Sequence, residues 1–158
     1  EPNYTMKYGK DSQLQFNRQI DDPLIRSYLM INTPPSDIVL GKHAIIDLSG
    51  CDSKIISNYD LIRDILVQAA QIANITVVDM VDHYFKPEGY TAVLVLEESH
   101  LSIHTWPEYN YVSIDLYSCN LQTNFQAVKD FVADKFKATV TKFTLLERKY
   151  SEISSIDN

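Results

Sequence analysis

Two helical patterns in this 158-residue chain are separated by four consecutive strand patterns, and that order constrains the fold more than any other feature. Apolar residues recur at helical spacing from Leu61 to Ile72 and again within Asn120–Lys137. With a further strand pattern before the first helix and another after the second, the order is β-α-β-β-β-β-α-β. Runs of strands kept apart from helices favour an α+β fold. We therefore predict a two-layer sandwich of a largely antiparallel sheet with two helices on one face.

The strand patterns differ in how they distribute apolar side chains. Tyr111–Tyr117 alternates cleanly, which predicts one buried and one polar face. Tyr90–Leu96 is apolar throughout, which predicts a central strand covered on both faces. The other strand patterns with clear bounds are Ala44–Leu48, Thr76–Val81 and Ala138–Leu146.

The first part of the chain differs from the rest. Residues 1–40 are polar, show no sustained period, and contain the turn-forming sequence Thr33-Pro34-Pro35-Ser36. We predict an N-terminal extension over residues 1–40, one domain over residues 41–148, and a C-terminal tail over residues 149–158. The sequence assigns no role to the extension or to the tail.

Composition excludes several classes of partner. A net charge of -7 and a pI near 4.9 argue against non-specific binding to nucleic acid or to an anionic membrane. No apolar run approaches the roughly 20 residues that span a bilayer, and no secretory signal pattern is visible. Cys51 and Cys119 are expected as reduced thiols. We therefore expect a cytoplasmic protein with no nucleic-acid or membrane partner.

A group of reactive side chains follows the apolar strand. Ser99 comes directly after Glu98 where that strand ends, and His104 and Cys119 follow it by five and twenty residues. A serine hydroxyl at a tight turn can attack the carbonyl carbon of the preceding residue if a proton-transfer group and an oxyanion donor are nearby. Taken singly, a serine at a strand end, a strand histidine and a small buried cysteine are all ordinary.

Metal binding is a rival interpretation of the same stretch. His100, His104 and Glu108 are spaced four residues apart, which on a helix would place all three on one face. The residues after His100 favour a strand, and Pro107 prevents a continuous helix through the set. We therefore predict no metal site. Structural roles are assigned to His43, His83 and Cys51.

Residues 97–108, taken with Cys119, resemble the self-cleavage site of the bacterial S-adenosylmethionine decarboxylases. The resemblance implies a proenzyme that cleaves itself between Glu98 and Ser99 and converts Ser99 into a covalent pyruvoyl cofactor. It also implies that His104 handles protons during cleavage. Cys119 would be the donor that protonates the substrate after decarboxylation.

The resemblance covers about residues 41–148 and implies a substrate, S-adenosylmethionine. Phe85 lies where the family has an aromatic that stacks on adenine, and Glu108 where a carboxylate binds the ribose hydroxyls. Thr91 replaces a serine that commonly pairs with the processing histidine. The product would be decarboxylated S-adenosylmethionine, the aminopropyl donor for spermidine. The family further implies a homodimer of cleaved protomers, with active sites at the interface and sheets packed face to face.

Two alternatives remain open from sequence. The first is the same chemistry on ornithine or arginine. The second is a non-catalytic homologue that stays uncleaved and binds a partner, although the presence of Ser99, His104 and Cys119 argues against it. No lysine lies within residues 97–117 to anchor pyridoxal phosphate, so the predicted cofactor is the pyruvoyl group alone.

Overall fold

Six antiparallel strands, with helices packed on one side, make up the part of the chain that the computed structural model describes, residues 38–150. The strand order is β2-β3-β4-β5-β1-β6, and every neighbouring pair is antiparallel. This confirms the predicted fold class. The elements are β1 (Ile38–Ser49), α1 (Ser53–Ile56), α2 (Tyr59–Ile72), β2 (Val77–Tyr84), β3 (Tyr90–Leu96), β4 (Ser99–Trp106), a 3-10 turn (Pro107–Tyr109), β5 (Tyr111–Ser118), α3 (Phe125–Lys135) and β6 (Val140–Tyr150).

Both long helices begin at asparagine caps. The side chain of Asn58 accepts a hydrogen bond from the N–H of Leu61 at 3.1 Å, and Asn124 accepts from Ala127 at 3.0 Å. Each helix then turns its apolar stripe toward the sheet. The fully or almost fully buried residues of these stripes are Ile62, Ile65, Leu66, Ala69, Phe125, Val128 and Val132. The short helix α1, capped by Asp52, is an element that the periodicity did not predict.

The two faces of the sheet have different surroundings. The face under the helices is apolar and buried, and its central residues are Ala44, Ile46, Leu48, Ala92, Leu94, Leu101, Ile103, Val112, Ile114 and Leu116. The opposite face, which we call the open face, is not covered by any element within residues 38–150. Strand alternation and register assign to it His43, Ile45, Asp47, Thr91, Val93, Val95, His100, Ser102, His104, Ser113, Asp115 and Tyr117.

Strand β3 departs from its prediction. Val93 and Val95 lie on the open face and are 36% and 41% exposed, while Ala92 and Leu94 are fully buried beneath the helices. The expectation that this strand is covered on both faces is therefore wrong within the described chain. An apolar run indicates that both faces avoid water, but it does not say whether the same chain provides the cover.

Strand β1 is longer than its apolar core suggests. It begins at Ile38 and pairs with β6 along its whole length, as far as the pair Ile38–Tyr150. The last three residues of the predicted extension and the first two of the predicted tail thus belong to these strands. The remaining residues of both segments lie outside the described residues. No helix among residues 38–150 is long and apolar enough to cross a membrane.

Candidate active site

Ser99 is the first residue of β4 and directly follows the turn that joins β3 to β4. Leu96 and Ser99 are register partners, so Glu97 and Glu98 are the two residues of that turn. The hairpin presents the peptide bond between Glu98 and Ser99 at one end of the sheet. The same turn lies beside Cys119, the first residue after β5.

The carbonyl oxygen of Glu98 accepts two hydrogen bonds from Cys119. The backbone N–H of Cys119 donates at 3.3 Å, and its Sγ lies 3.1 Å from the same oxygen. If Ser99 attacked this carbonyl carbon, the negative charge would develop on the oxygen that both groups contact. Two donors aimed at such an oxygen constitute an oxyanion hole.

The hydroxyl of Ser99 is buried and has no hydrogen-bond partner among the described residues. Leaving a buried hydroxyl unpaired costs about 1–3 kcal/mol, so such a group calls for a specific explanation. Because Ser99 directly follows Glu98, covalent connectivity keeps this hydroxyl near the Glu98 carbonyl carbon, and no hydrogen bond within residues 38–150 occupies it. The arrangement is that of a nucleophile next to its target.

A small polar network holds the segment that carries Cys119. Ser118 is fully buried and is the register partner of Ser99. Its Oγ lies 3.0 Å from Oγ1 of Thr123 and accepts a hydrogen bond from the N–H of Asn120 at 3.1 Å. These bonds bracket Cys119 and fix its position against the β3–β4 turn.

The two thiols have different surroundings. Cys51 is buried, and burial raises the pKa of its thiol to about 11. Cys119 is exposed at the end of the sheet. Of the two, Cys119 is therefore the thiol that a bound molecule can reach.

His104 lies near the other end of β4, on the open face. Its Nδ1 is 2.9 Å from Oγ1 of Thr91, which is its register partner on β3. The structure thus brings together the pair that the resemblance implied. The methyl group that distinguishes Thr91 from serine does not prevent the contact.

A cavity of about 320 Å³ opens beside His104. Its volume lies within the range of small-molecule sites. Four of the six predicted site residues contribute to it, with an aromatic ring and a carboxylate among them. The lining consists of Phe85, Glu88, Gly89, Thr91, His104, Thr105, Trp106 and Glu108.

Trp106 is a lining residue to which the sequence interpretation gave no function. Its ring lies 6.1 Å from the ring of His104 and 5.4 Å from that of Tyr111, and the side chain is 39% exposed. It follows His104 by two residues in a strand, so both point to the open face. That spacing was the available signal, since any aromatic two residues from a site residue in a strand shares its face.

The six predicted site residues therefore form two groups at opposite ends of β4. Ser99 and Cys119 lie at one end, and His104 lies with the other three at the cavity. Ser99 and His104 are five residues apart in one strand, a distance of roughly 16 Å, and their side chains point to opposite faces. Within a single chain, His104 does not reach Ser99.

The rival metal set does not assemble. His100 and His104 both belong to β4 and are separated by roughly 13 Å along it, so one ion cannot bind both. His104 lies at the cavity, whereas Nε2 of His100 is 2.8 Å from Oδ1 of Asp115.

Comparisons with known proteins identify the relatives of this chain. A family profile described as S-adenosylmethionine decarboxylase matches residues 42–149. The S-adenosylmethionine decarboxylase proenzyme of Thermococcus gammatolerans is 34% identical over 113 residues, which cover 72% of this chain and 79% of the relative. The proenzyme of the same name from Acetivibrio thermocellus is 37% identical over 109 residues, covering 69% of this chain and 88% of the relative. The crystal structure of the adenosylmethionine decarboxylase from Aquifex aeolicus matches with a TM-score of 0.66 and 32% identity, over 75% of this chain and 98% of that chain.

Proposed function

The chain belongs to the S-adenosylmethionine decarboxylase family, and we propose that it is a self-cleaving proenzyme that decarboxylates S-adenosylmethionine. One observation carries the proposal for this chain's own residues. The carbonyl oxygen of Glu98 is held by two donors of Cys119, next to the buried, unpaired hydroxyl of Ser99. A chain that only bound a partner would have no use for an oxyanion hole at this peptide bond.

Self-cleavage begins with the Ser99 hydroxyl. Its oxygen attacks the carbonyl carbon of Glu98, and the charge on the carbonyl oxygen is stabilised by the N–H and the thiol of Cys119. The C–N bond then breaks, the hydroxyl proton passes to the freed amine, and an ester links the two parts. Loss of the Ser99 α-hydrogen breaks the ester and releases a chain that ends at Glu98. The remaining dehydroalanine takes up water and loses ammonia, which leaves a pyruvoyl group.

The pyruvoyl carbonyl supplies the electron sink that pyridoxal phosphate supplies in other decarboxylases. The residues present fit such a group, because Ser99 would be the source of its carbonyl and Cys119 contacts the carbonyl oxygen of the peptide bond that precedes it. After carbon dioxide leaves, Cys119 donates a proton to the former α-carbon. A thiol suits this task because its ordinary pKa lies near the pH of the cell.

The separation of the two groups along β4 supports an active site that two copies share. If two chains pack their open faces about a two-fold axis with their β4 strands antiparallel, the His104 group of each copy meets the Ser99 group of the other. Two complete sites then form from two incomplete ones. In this arrangement, the proton that His104 removes is the one on the Ser99 α-carbon, whose loss breaks the ester.

Exposed apolar side chains support the same dimer. Ile45, Val81, Val93 and Val95 all lie on the open face and are more than a third exposed. Covering them with a second sheet removes apolar surface from water. We therefore propose a homodimer with its sheets packed face to face.

The cavity supports S-adenosylmethionine over ornithine or arginine. Phe85 and Trp106 offer faces on which a purine can stack, an interaction worth about 1–3 kcal/mol per base, and which also attract a sulfonium cation. The carboxylate of Glu108 can accept charge-assisted hydrogen bonds from two ribose hydroxyls. Ornithine and arginine can place a cationic end against an aromatic face or the carboxylate, but they have no purine to stack and no ribose hydroxyls to donate.

We also propose that the enzyme works in the cytoplasm. Cys51 and Cys119 are both free thiols in the structure, and free thiols persist in a reducing compartment. The net charge of -7 gives no reason to expect a nucleic-acid partner.

Intact mass spectrometry and a decarboxylation assay test the function together. We expect one chain that ends at Glu98 and a second that begins with the pyruvoyl group and lacks a free amine. Carboxyl-labelled S-adenosylmethionine should release carbon dioxide, while labelled ornithine and arginine should not. A single full-length mass in active protein would refute the pyruvoyl mechanism. Release from ornithine or arginine instead would retain the mechanism and overturn the substrate.

A further inference from the structure

Three side chains converge on the open face beside the cleavage site, and the proposed reaction uses none of them. His43 lies on β1, His100 on β4 and Asp115 on β5, which are adjacent strands. One nitrogen or oxygen atom from each side chain lies within 4.8 Å of the other two. Within residues 38–150, no other three metal-ligating side chains lie close enough together to share one ion.

The distances within this triad suit a small tetrahedral ion. Oδ1 of Asp115 lies 2.8 Å from Nε2 of His100 and 3.4 Å from Nε2 of His43. Ligand atoms bound at about 2.0–2.1 Å to a tetrahedral zinc ion are roughly 3.4 Å from one another. The His43–Asp115 pair already has that separation, and the His100–Asp115 pair needs to open by about 0.6 Å. The third pair, between the two histidines, lies within 4.8 Å. Since the ligands lie on three hydrogen-bonded strands, the backbone holds them in place.

The donor set selects the class of ion. Two imidazole nitrogens and one carboxylate oxygen suit zinc and its neighbours in the transition series, whereas calcium and magnesium prefer oxygen ligands alone. Nε2 of His43 is buried and has no hydrogen-bond partner within residues 38–150, so it is a polar atom that a bound ion would satisfy. We propose that the triad binds one divalent transition-metal ion of the zinc type, with a fourth coordination position left open.

Arg148 competes with such an ion. Its Nη1 lies 3.4 Å from Nδ1 of His43, and its guanidinium carbon lies 5.8 Å from the centre of the Tyr117 ring. Arginine only donates hydrogen bonds, so Nδ1 of His43 is the acceptor and Nε2 carries the hydrogen, which has no hydrogen-bond partner within residues 38–150. An ion on Nε2 moves that hydrogen to Nδ1, where it opposes the guanidinium. Because Arg148 is exposed on the edge strand β6, it can move away, but it weakens binding while it stays.

Direct binding measurements on the full chain, stripped of metal, test the proposal without any reference to catalysis. Titration with Zn²⁺ by calorimetry should give one ion per chain at this site, and Co²⁺ should give the intense visible absorption of a tetrahedral complex. His100→Ala and Asp115→Asn should each weaken binding by at least about 100-fold, since even partners of metal ligands contribute 10–100-fold. His83→Ala is the matched control. His83 lies on β2, is exposed on the same open face of the sheet as the triad, and does not belong to the triad.

Arg148→Gln provides an opposite test that does not depend on a disrupted site. Removing the competing charge at an exposed edge position should leave the fold intact and tighten Zn²⁺ binding severalfold. The proposal is overturned if His100→Ala and Asp115→Asn bind Zn²⁺ as the unaltered chain does, or if Co²⁺ gives only the weak spectrum of a hydrated ion. An unchanged affinity in Arg148→Gln would likewise contradict the placement of the ion on His43.

Discussion

The two ends of strand β4 contrast in what they contribute to the site. At the Ser99 end the groups are preorganised, with a buried hydroxyl beside a carbonyl oxygen that two donors of Cys119 hold. At the His104 end the groups line an open cavity, in which the side chains of Phe85 and Trp106 are 50% and 39% exposed. In the proposed function, one end carries the bond breaking, and the other carries substrate recognition and proton transfer.

Strand β4 itself fixes the distance between the Ser99 group and the His104 group. Strand β4 is hydrogen-bonded to β3 on one side and to β5 on the other along its whole length. No side-chain rotation closes a gap of roughly 16 Å between Ser99 and His104. The two groups therefore cannot meet within one chain, which is why we propose that a second copy completes each half of the site.

Loss of the nucleophile should have the largest effect on the Ser99 end. Ser99→Ala should abolish both cleavage and decarboxylation, because it removes the proposed nucleophile and the source of the pyruvoyl group. A denaturing gel and intact mass spectrometry should find only the full-length chain. Ser102→Ala, in the same strand but on the open face, should still cleave. Cleavage of Ser99→Ala after Glu98 would remove Ser99 from its assigned role.

Replacement of Cys119 should separate cleavage from turnover. Cys119→Ala should reduce decarboxylation by about 10²–10⁴-fold, the usual worth of a general acid. Cleavage should slow less, because the backbone N–H of residue 119 still donates to the Glu98 carbonyl oxygen. The rates of both steps are measured on one sample, with Cys51→Ala as the matched thiol control. Normal turnover by cleaved Cys119→Ala would assign the proton donor to another group.

At the cavity end, the expected effects are on substrate recognition. Phe85→Ala should lower kcat/KM for S-adenosylmethionine by about tenfold, or about 1.4 kcal/mol, because one stacking face is lost. Cleavage should be affected far less, since Phe85 supplies neither the nucleophile nor a donor to the Glu98 carbonyl oxygen. Tyr109→Ala, which removes a 75% exposed aromatic next to the cavity residues, is the control. An unchanged kcat/KM in Phe85→Ala would remove the adenine-stacking argument.

The smallest effect is expected for the partner of His104. Thr91→Ala removes the hydrogen bond at 2.9 Å to Nδ1 of His104, and one such bond contributes about 0.5–1.5 kcal/mol. Cleavage should therefore slow by roughly two- to tenfold, measured as the decay of the full-length chain with time. Thr91→Ser keeps the hydroxyl and should restore the rate. Equal slowing in both variants would indicate a packing role instead.

Local periodicity predicted most of the fold because it depends on neighbouring residues. The alternation of Tyr111–Tyr117 and the helical stripe around Leu66 each identify one face without knowledge of the rest of the chain. Strand β1 was predicted short because Gly41, Lys42 and His43 interrupt its apolar run, whereas its length is decided by pairing with β6. The sequence did not predict that Val93 is exposed, because an apolar residue does not specify what covers it.

The sequence predicted which residues form the candidate site, but it did not predict how they are arranged. Once β4 is known to be a strand, the spacing of five residues already separates Ser99 from His104. The contact between Cys119 and Glu98 depends on the register of β5 against β4, which no local pattern specifies. The triad of His43, His100 and Asp115 depends on the same kind of long-range pairing, and the sequence interpretation treated its first member as structural.

Mixing two defective variants tests the shared site most directly. His104→Ala, which keeps Ser99, should cleave slowly by itself, and Ser99→Ala should not cleave at all. Coexpressed with different affinity tags and purified as mixed dimers, they restore one complete site, so the His104→Ala chain should be cut after Glu98 at a rate near that of the unaltered enzyme. If the His104→Ala chain in verified mixed dimers cleaves no faster than it does alone, His104 does not act across the interface and the composite site is contradicted.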